Sequence, residues 1–427
     1  MFDFLPALVR FILVVLLVIF CIHRKMALWG TFLLAAGVLA LLFGMSPSAM
    51  RHSTWVALSA PKNIGLALII GLILALSATL EKCGRMQRML AAFQHCSRRP
   101  GLNIFVFPAL IGLLPMPGGA AFSAPMVKQL GHGLGYSPAQ LAFFNYWFRH
   151  VWEYWWPLYP GVLLTCVLAD IPLSKFVVLM LPLSALAVLL GYPELTKKQA
   201  PSPTSPEPKV RHKILPFLTE AGPIFGVIVL GLGLGISLAR LFPELAVAKE
   251  LGLITALLLV LGWVWHHSGF APTEAFALLF NRRQLTMVGL ILSILIFSEV
   301  LQDSGAVSDI AQDLQELRVP LILMTMLLPF VVGCAAGLTI AFVGASFPIV
   351  IAVVRALDPG TDLLPYMSLA LVSGFVGTLL SPLHLCLLLS NEYFEVSLPQ
   401  VYRHLRLPCA AMLLFGTLHF ALLQLMG

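Results

Sequence analysis

Nine residues near position 150 hold most of the chemistry that this otherwise apolar sequence offers: Asn145-Tyr-Trp-Phe-Arg149-His150-Val-Trp-Glu153, followed by Pro157 and Pro160. Asn145, Arg149 and Glu153 recur every fourth residue, so a helix presents all three on one face and Arg149 can pair with Glu153. An arginine fork suits a carboxylate or other oxyanion, and the glutamate can hold that arginine or carry a proton. A structural ion pair is the plain alternative. His150 lies about 100° further round the helix and reads as a packed, hydrogen-bonded histidine facing elsewhere. Trp147, Trp152, Tyr154, Trp155, Trp156 and Tyr159 read in part as anchors at the membrane interface.

Two breaks in apolar stretches add further candidates. Residues 103–130 are interrupted by Pro115-Met-Pro117-Gly118-Gly119, and residues 321–354 are interrupted around Gly333 to Gly337. Proline removes a backbone donor and glycine weakens helix, so neither stretch forms one helix. A helix N-terminus exposed at such a break carries about half a positive charge and favours an oxyanion, while unwound carbonyls can hold Na⁺. The site candidates are Pro115, Pro117, Gly118, Gly119 and Ser123 in the first stretch, and Gly337, Thr339, Gly344 and Ser346 in the second. Small residues that only let helices approach closely are the competing explanation. A third segment, Ser373-Gly374 to Ser381-Pro382-Leu-His384, lacks the charge pair. Its Thr378 and Ser381 hydroxyls complete a cation site or re-satisfy backbone freed by Pro382.

The elements that must position these residues follow from composition. Of 427 residues, 59% are apolar and 11% charged, against roughly 25% charged in soluble domains, and mean hydropathy is +0.94. This is a polytopic membrane protein, built all-α. The seven cysteines show no paired metal-site or disulfide spacing and read as small apolar packers, so no metal is expected. No compact basic domain suggests nucleic acid, and no Gly-x-x-x-x-Gly-Lys-Ser/Thr loop suggests ATP. Without a His-Glu-x-x-His motif or a Gly-x-Ser-x-Gly elbow, an intramembrane enzyme is the minor alternative, with a passive channel beside it.

Apolar patterning predicts ten spans, at about 4–22, 26–45, 63–80, 139–164, 175–191, 215–240, 251–265, 284–301, 364–389 and 407–426. The stretches 103–130 and 321–354 then form re-entrant hairpins. With His23-Arg24-Lys25 and the Lys82 to Arg99 cluster cytoplasmic, both termini lie outside, and 17 of the 26 Lys and Arg fall inside. The first span lacks a signal-peptide cleavage pattern and is expected to remain. A proline-rich linker at 192–213 divides a first unit, 1–191, from a second, 214–427. At an offset of 221, Ile70 meets Ile291, Ser77 meets Ser298, Gly84 meets Gly305 and Pro108 meets Pro329; at 225, Pro157 meets Pro382. Each half orders three spans, a hairpin and two spans. Five spans being odd, the repeats are inverted, which is a transporter architecture with its site near the bilayer midplane. A secondary carrier for a small organic anion, driven by H⁺ or Na⁺ and needing no other cofactor, is the leading expectation.

The motifs Gly112-Leu-Leu-Pro115 through Pro125, Asn145 through Tyr154, and Gly377 through His384 resemble a prokaryotic membrane family catalogued as domain of unknown function 401. The wider arrangement looks like the ion-transporter superfamily. That resemblance implies a carrier of organic or inorganic anions in the inner membrane, a homodimer, and a mobile elevator domain. The chain departs from the sodium-coupled dicarboxylate members in lacking a Ser-Asn-Thr signature at either hairpin.

Overall fold

The computed structural model of the chain describes residues 5–94, 100–116, 118–131, 134–196 and 214–426. Among them every regular element is helical, as hydrocarbon demands of a chain that must satisfy its own backbone. The first half contains α1 (Ala7–His23), α2 (Leu28–Leu42), α3 (Pro47–Ser59), α4 (Pro61–Lys82), α5 (Arg85–Gln94), α6 (Pro100–Gly112), α7 (Ala120–Gly131), α8 (Pro138–Trp147), α9 (Pro160–Ala169) and α10 (Leu173–Thr196). The second contains α11 (Ile214–Leu241), α12 (Ala248–His267), α13 (Pro272–Leu279), α14 (Arg282–Asp303), α15 (Ala306–Glu316), α16 (Leu321–Ala336), α17 (Thr339–Leu357), α18 (Leu363–Leu379), α19 (Leu385–Tyr393) and α20 (Leu398–Met426). Seven helical stretches are long and apolar enough to cross a membrane, eight if α15 and α16, bent by 119°, count as one. The chain is a multi-pass helical membrane protein.

Local chemistry sets the helix starts. Ser137 caps α8 by accepting from the Gln140 amide while the Gln140 side chain accepts from Ser137 N, and Pro138 occupies the first turn, where its missing N–H costs nothing. Asn281 caps α14 by accepting from the Gln284 amide at 3.0 Å. Burial then sorts the helices. On α11 a lipid-facing row including Leu215, Val229 and Ile236 is exposed, whereas every residue of α18 is buried. Helix α18 and most of the 139–164 segment therefore lie inside, while α16 keeps Leu323, Leu327 and Val331 exposed on its outer face.

Two predicted spans are not continuous. Over 139–164, α8 stops at Trp147, a 3-10 turn covers Phe148–His150, turns follow, and α9 starts at Pro160. Over 364–389, α18 stops at Leu379 and α19 starts at Leu385. Prolines 157, 160 and 382 cannot donate the bonds that would carry a helix through. Helix α10 also runs to Thr196, past the expected start of the linker. Pro117, Arg98, Arg99 and the linker charges Lys197, Lys198, Lys209, Arg211 and Lys213 lie outside the described residues.

Candidate functional site

At the first break, α6 ends with carbonyls that nothing in its own helix can satisfy. Donors from the 145–160 segment meet them. Trp152 Nε1 donates to Ala109 O at 2.7 Å, Tyr159 Oη to Gly112 O at 2.6 Å, and Trp156 Nε1 to Leu113 O at 2.9 Å. Trp147 Nε1 donates to Ala187 O on α10 at 2.8 Å. This corrects the interfacial-anchor reading, since Trp147, Tyr154, Trp156 and Tyr159 are buried. A helix ending inside a membrane needs donors, and aromatic N–H and O–H groups supply them with little polar surface.

Arg149 continues the pattern, its Nη2 donating to Met116 O in the unwound stretch. A Cβ on Gly112 would lie 2.0 Å from Arg149 O, and one on Gly119 would lie 2.5 Å from Nη1. The glycines of this break therefore make room for the arginine, both backbone and guanidinium. Asn145 Nδ2 donates to Ala120 O at 3.0 Å and to Ser390 Oγ at 2.8 Å, tying the start of α7 to α19.

Arg149 and Glu153 form no ion pair. The α-helix stops at Trp147, so spacing of four no longer stacks the two side chains. Glu153 turns instead to the second break, where it accepts from Thr339 Oγ1 at 3.0 Å. Its Oε1 lies 3.7 Å from His150 Nε2. One short segment thus serves both breaks, with Asn145 and Arg149 on the first and Glu153 on the second.

The second break is tighter. Gly337, with φ +63°, caps the end of α16, its N–H donating to Gly333 O at 2.8 Å. A Cβ there would meet His384 N at 2.9 Å and Ser381 Oγ at 3.0 Å, so only glycine fits both conformation and space. Ser381 Oγ itself accepts from Leu383 N at 3.2 Å, bracing the α18–α19 bend. Other predicted residues fall away from the centre. Gly344 gives room to Ile294, while Ser123, Ser346 and Thr378 bond back to carbonyls of their own helices. Close packing and helix patching account for these four.

A cavity of about 160 Å³ lies where the breaks meet. Pro115, Gly118, Arg149, Glu153, Gly337 and Thr339 line it from the predicted set, opposite an apolar wall that includes Leu28, Leu74 and Leu290. Gly119 and Asn145 stand behind this lining. Arg149 is 3% exposed, and its Nε and Nη1 make no hydrogen bond. Sequence reasoning left three lining residues out of the binding set: His150, expected to face elsewhere, His384, which entered with His150 only under the enzyme alternative, and Cys386, which was read as a packer. All three are buried, with one ligating atom of each within 4.8 Å of the others. The only signal was that His384 and Cys386 share the bend after Pro382, and a spacing of two is no metal motif.

The family model described as "Protein of unknown function (DUF401)" matches residues 7–423, nearly the whole chain, and the chain belongs to that family. Among curated proteins, none matches it.

Proposed function

We propose that this DUF401 protein is a secondary active transporter that moves a small anion, an organic acid, across the inner membrane by alternating access, coupled to H⁺ or Na⁺. Arg149 carries this reading. A buried guanidinium that spends one nitrogen on Met116 O and keeps two without partners, at the wall of a cavity, is built to meet an oxyanion. The cavity volume, well below the roughly 300–1,000 Å³ of drug-sized sites, suits cargo of a few heavy atoms.

An inverted duplication supports the transport cycle. Helices α4 and α14 begin at 61 and 282, and α5 and α15 at 85 and 306, each pair 221 apart. For α9 with α19 and α10 with α20 the starts are 225 apart, at 160 and 385 and at 173 and 398. Left-handed backbone recurs at Gly84 and Gly305, Gly135 and Gly360, Asp170 and Glu395. Packing is exchanged between the halves, α4 against α12 and α14 against α2, α7 against α19 and α17 against α9. A two-fold relation gives that exchange. In this reading α6–α7 and α16–α17 are re-entrant hairpins entering from opposite faces, both termini are outside, and the carrier works as a homodimer with a mobile core.

A thermal-shift screen of small carboxylates and inorganic anions tests the site, since a ligand at 100 times its Kd stabilises by about 2.7 kcal/mol. Uptake of the hit into proteoliposomes should follow an imposed pH or Na⁺ gradient. Uptake indifferent to every gradient reduces the protein to a facilitator, non-saturating conductance makes it a channel, and turnover in detergent makes it an enzyme. Single cysteines in the linker and in the Asp303–Glu316 segment should react with an impermeant reagent from opposite sides; labelling from one side overturns the inverted topology.

A further inference from the structure

We propose that His150, His384 and Cys386 form a site for a thiophilic divalent metal ion of the zinc class, with Glu153 as fourth ligand. The ligand types come first. Two imidazoles, a thiolate and a carboxylate form a donor set that favours zinc-like ions over hard cations such as Na⁺ or Mg²⁺. The three strongest donors are all buried and lie within 4.8 Å of one another. Glu153 Oε1 is 3.7 Å from His150 Nε2. Donors on a tetrahedral ion with bonds of about 2.0–2.3 Å stand roughly 3.3–3.8 Å apart, so His150, His384 and Cys386 close on one ion through side-chain shifts of about 1 Å, and Glu153 reaches it from beside His150.

The hydrogen bonds behind these rings select the ligating nitrogen. His150 Nδ1 is held by Tyr146 O at 2.6 Å, and His384 Nδ1 by Thr378 O at 3.1 Å with Tyr146 Oη at 3.2 Å. Tyr146 Oη in turn donates to Leu379 O at 3.0 Å. A backbone carbonyl on Nδ1 fixes the tautomer that leaves Nε2 as the metal ligand, the outer-shell arrangement of protein zinc sites. The rings meet edge to face, with centroids 4.8 Å apart and planes at 82°, and so are not stacked. Cys386 sits in the first turn of α19, where the helix N-terminus favours a thiolate. Binding releases the thiol proton to solvent.

Charge closes the account. A dication facing the Cys386 thiolate and the Glu153 carboxylate is neutral as a group, which leaves Arg149, a neighbour of Cys386, as the net positive charge of the cavity. The metal site therefore coexists with an oxyanion at Arg149 and stands whether or not the protein transports one.

The test uses full-length protein in detergent, freed of any polyhistidine tag and stripped of metal. Addition of Co²⁺ should bind one equivalent, giving intense tetrahedral d–d bands and a thiolate charge-transfer band, all displaced by Zn²⁺. Cys386→Ser should abolish the charge-transfer band and His384→Gln should weaken affinity at least tenfold, whereas Cys166→Ser, away from the cavity, should change neither. X-ray absorption on unmutated protein keeps the test independent of folding defects: bound zinc should show one sulfur at about 2.3 Å and nitrogen or oxygen at about 2.0–2.1 Å. A shell without sulfur, a cobalt spectrum unchanged in Cys386→Ser, or no stoichiometric binding overturns the site. None of these readouts involves transport, so a failed uptake assay leaves them unaffected.

Discussion

The two helix breaks solve one problem with opposite chemistry. At the first break α6 ends at Gly112 and α7 begins at Ala120, and carbonyls of Ala109, Gly112, Leu113 and Met116 are met by donors: three aromatic side chains and Arg149. Between α16 and α17 only Gly337 and Leu338 intervene, and the group that arrives is an acceptor, Glu153, on the Thr339 hydroxyl. The long break leaves room for a guanidinium with donors to spare. The short one is closed by backbone contact with Ser381–His384. The two breaks thus give one cavity a cationic side and an acidic side. Electrostatic function here depends on which side chain reaches a break, not on the break itself.

Substitutions can break that contrast, and Arg149→Lys should do the most to transport. The charge survives but the fork does not, so transport should fall tenfold or more, equivalent to about 1.4 kcal/mol, with thermal stability largely kept. Normal uptake by this variant removes the arginine from the substrate site. Gly337→Ala follows, as a left-handed residue pressed on backbone at 2.9 Å. Strain of about 1–2 kcal/mol plus crowding of about 1–3 kcal/mol should show as a lowered melting temperature. At Gly119 an added methyl runs first into the guanidinium, at 2.5–2.7 Å. Gly119→Ala should cost about 1–3 kcal/mol of stability while weakening anion binding; a variant that binds normally would falsify the role of Gly119 as the cradle of Arg149. Smallest is Thr339→Val, which removes one hydrogen bond to Glu153 and should cost about 1 kcal/mol. A double-mutant cycle of Arg149→Lys with Thr339→Val should be additive within about 0.5 kcal/mol, because each residue belongs to a different break. Strong coupling would merge the two sides into a single network.

Much of this was legible in the sequence. Pro115, Gly118, Gly119 and Gly337 announced the breaks because no apolar helix tolerates them cheaply, and Arg149 and Glu153 stood out because charge deep in hydrocarbon is costly. Ser123, Ser346 and Thr378 illustrate the limit. A hydroxyl in an apolar helix can reach a ligand or its own preceding turn, and spacing alone does not separate the two. The Arg149–Glu153 pair failed for a related reason. A four-residue spacing means adjacency only in a continuous α-helix, and this one gives way to a 3-10 turn after Trp147.

By itself the sequence determined the solvent this chain must live in, the places where its helices have to stop, and the few charged groups that need a reason to be buried, since each is a local cost carried by individual residues. Tertiary structure alone decided that Arg149 meets Met116 O while Glu153 meets Thr339, and that His150, His384 and Cys386 converge across more than 230 residues of chain. Those outcomes depend on how α8, α18 and α19 pack around the breaks. The unsatisfied backbone there accepts any donor that packing delivers, and no local pattern encodes which one arrives.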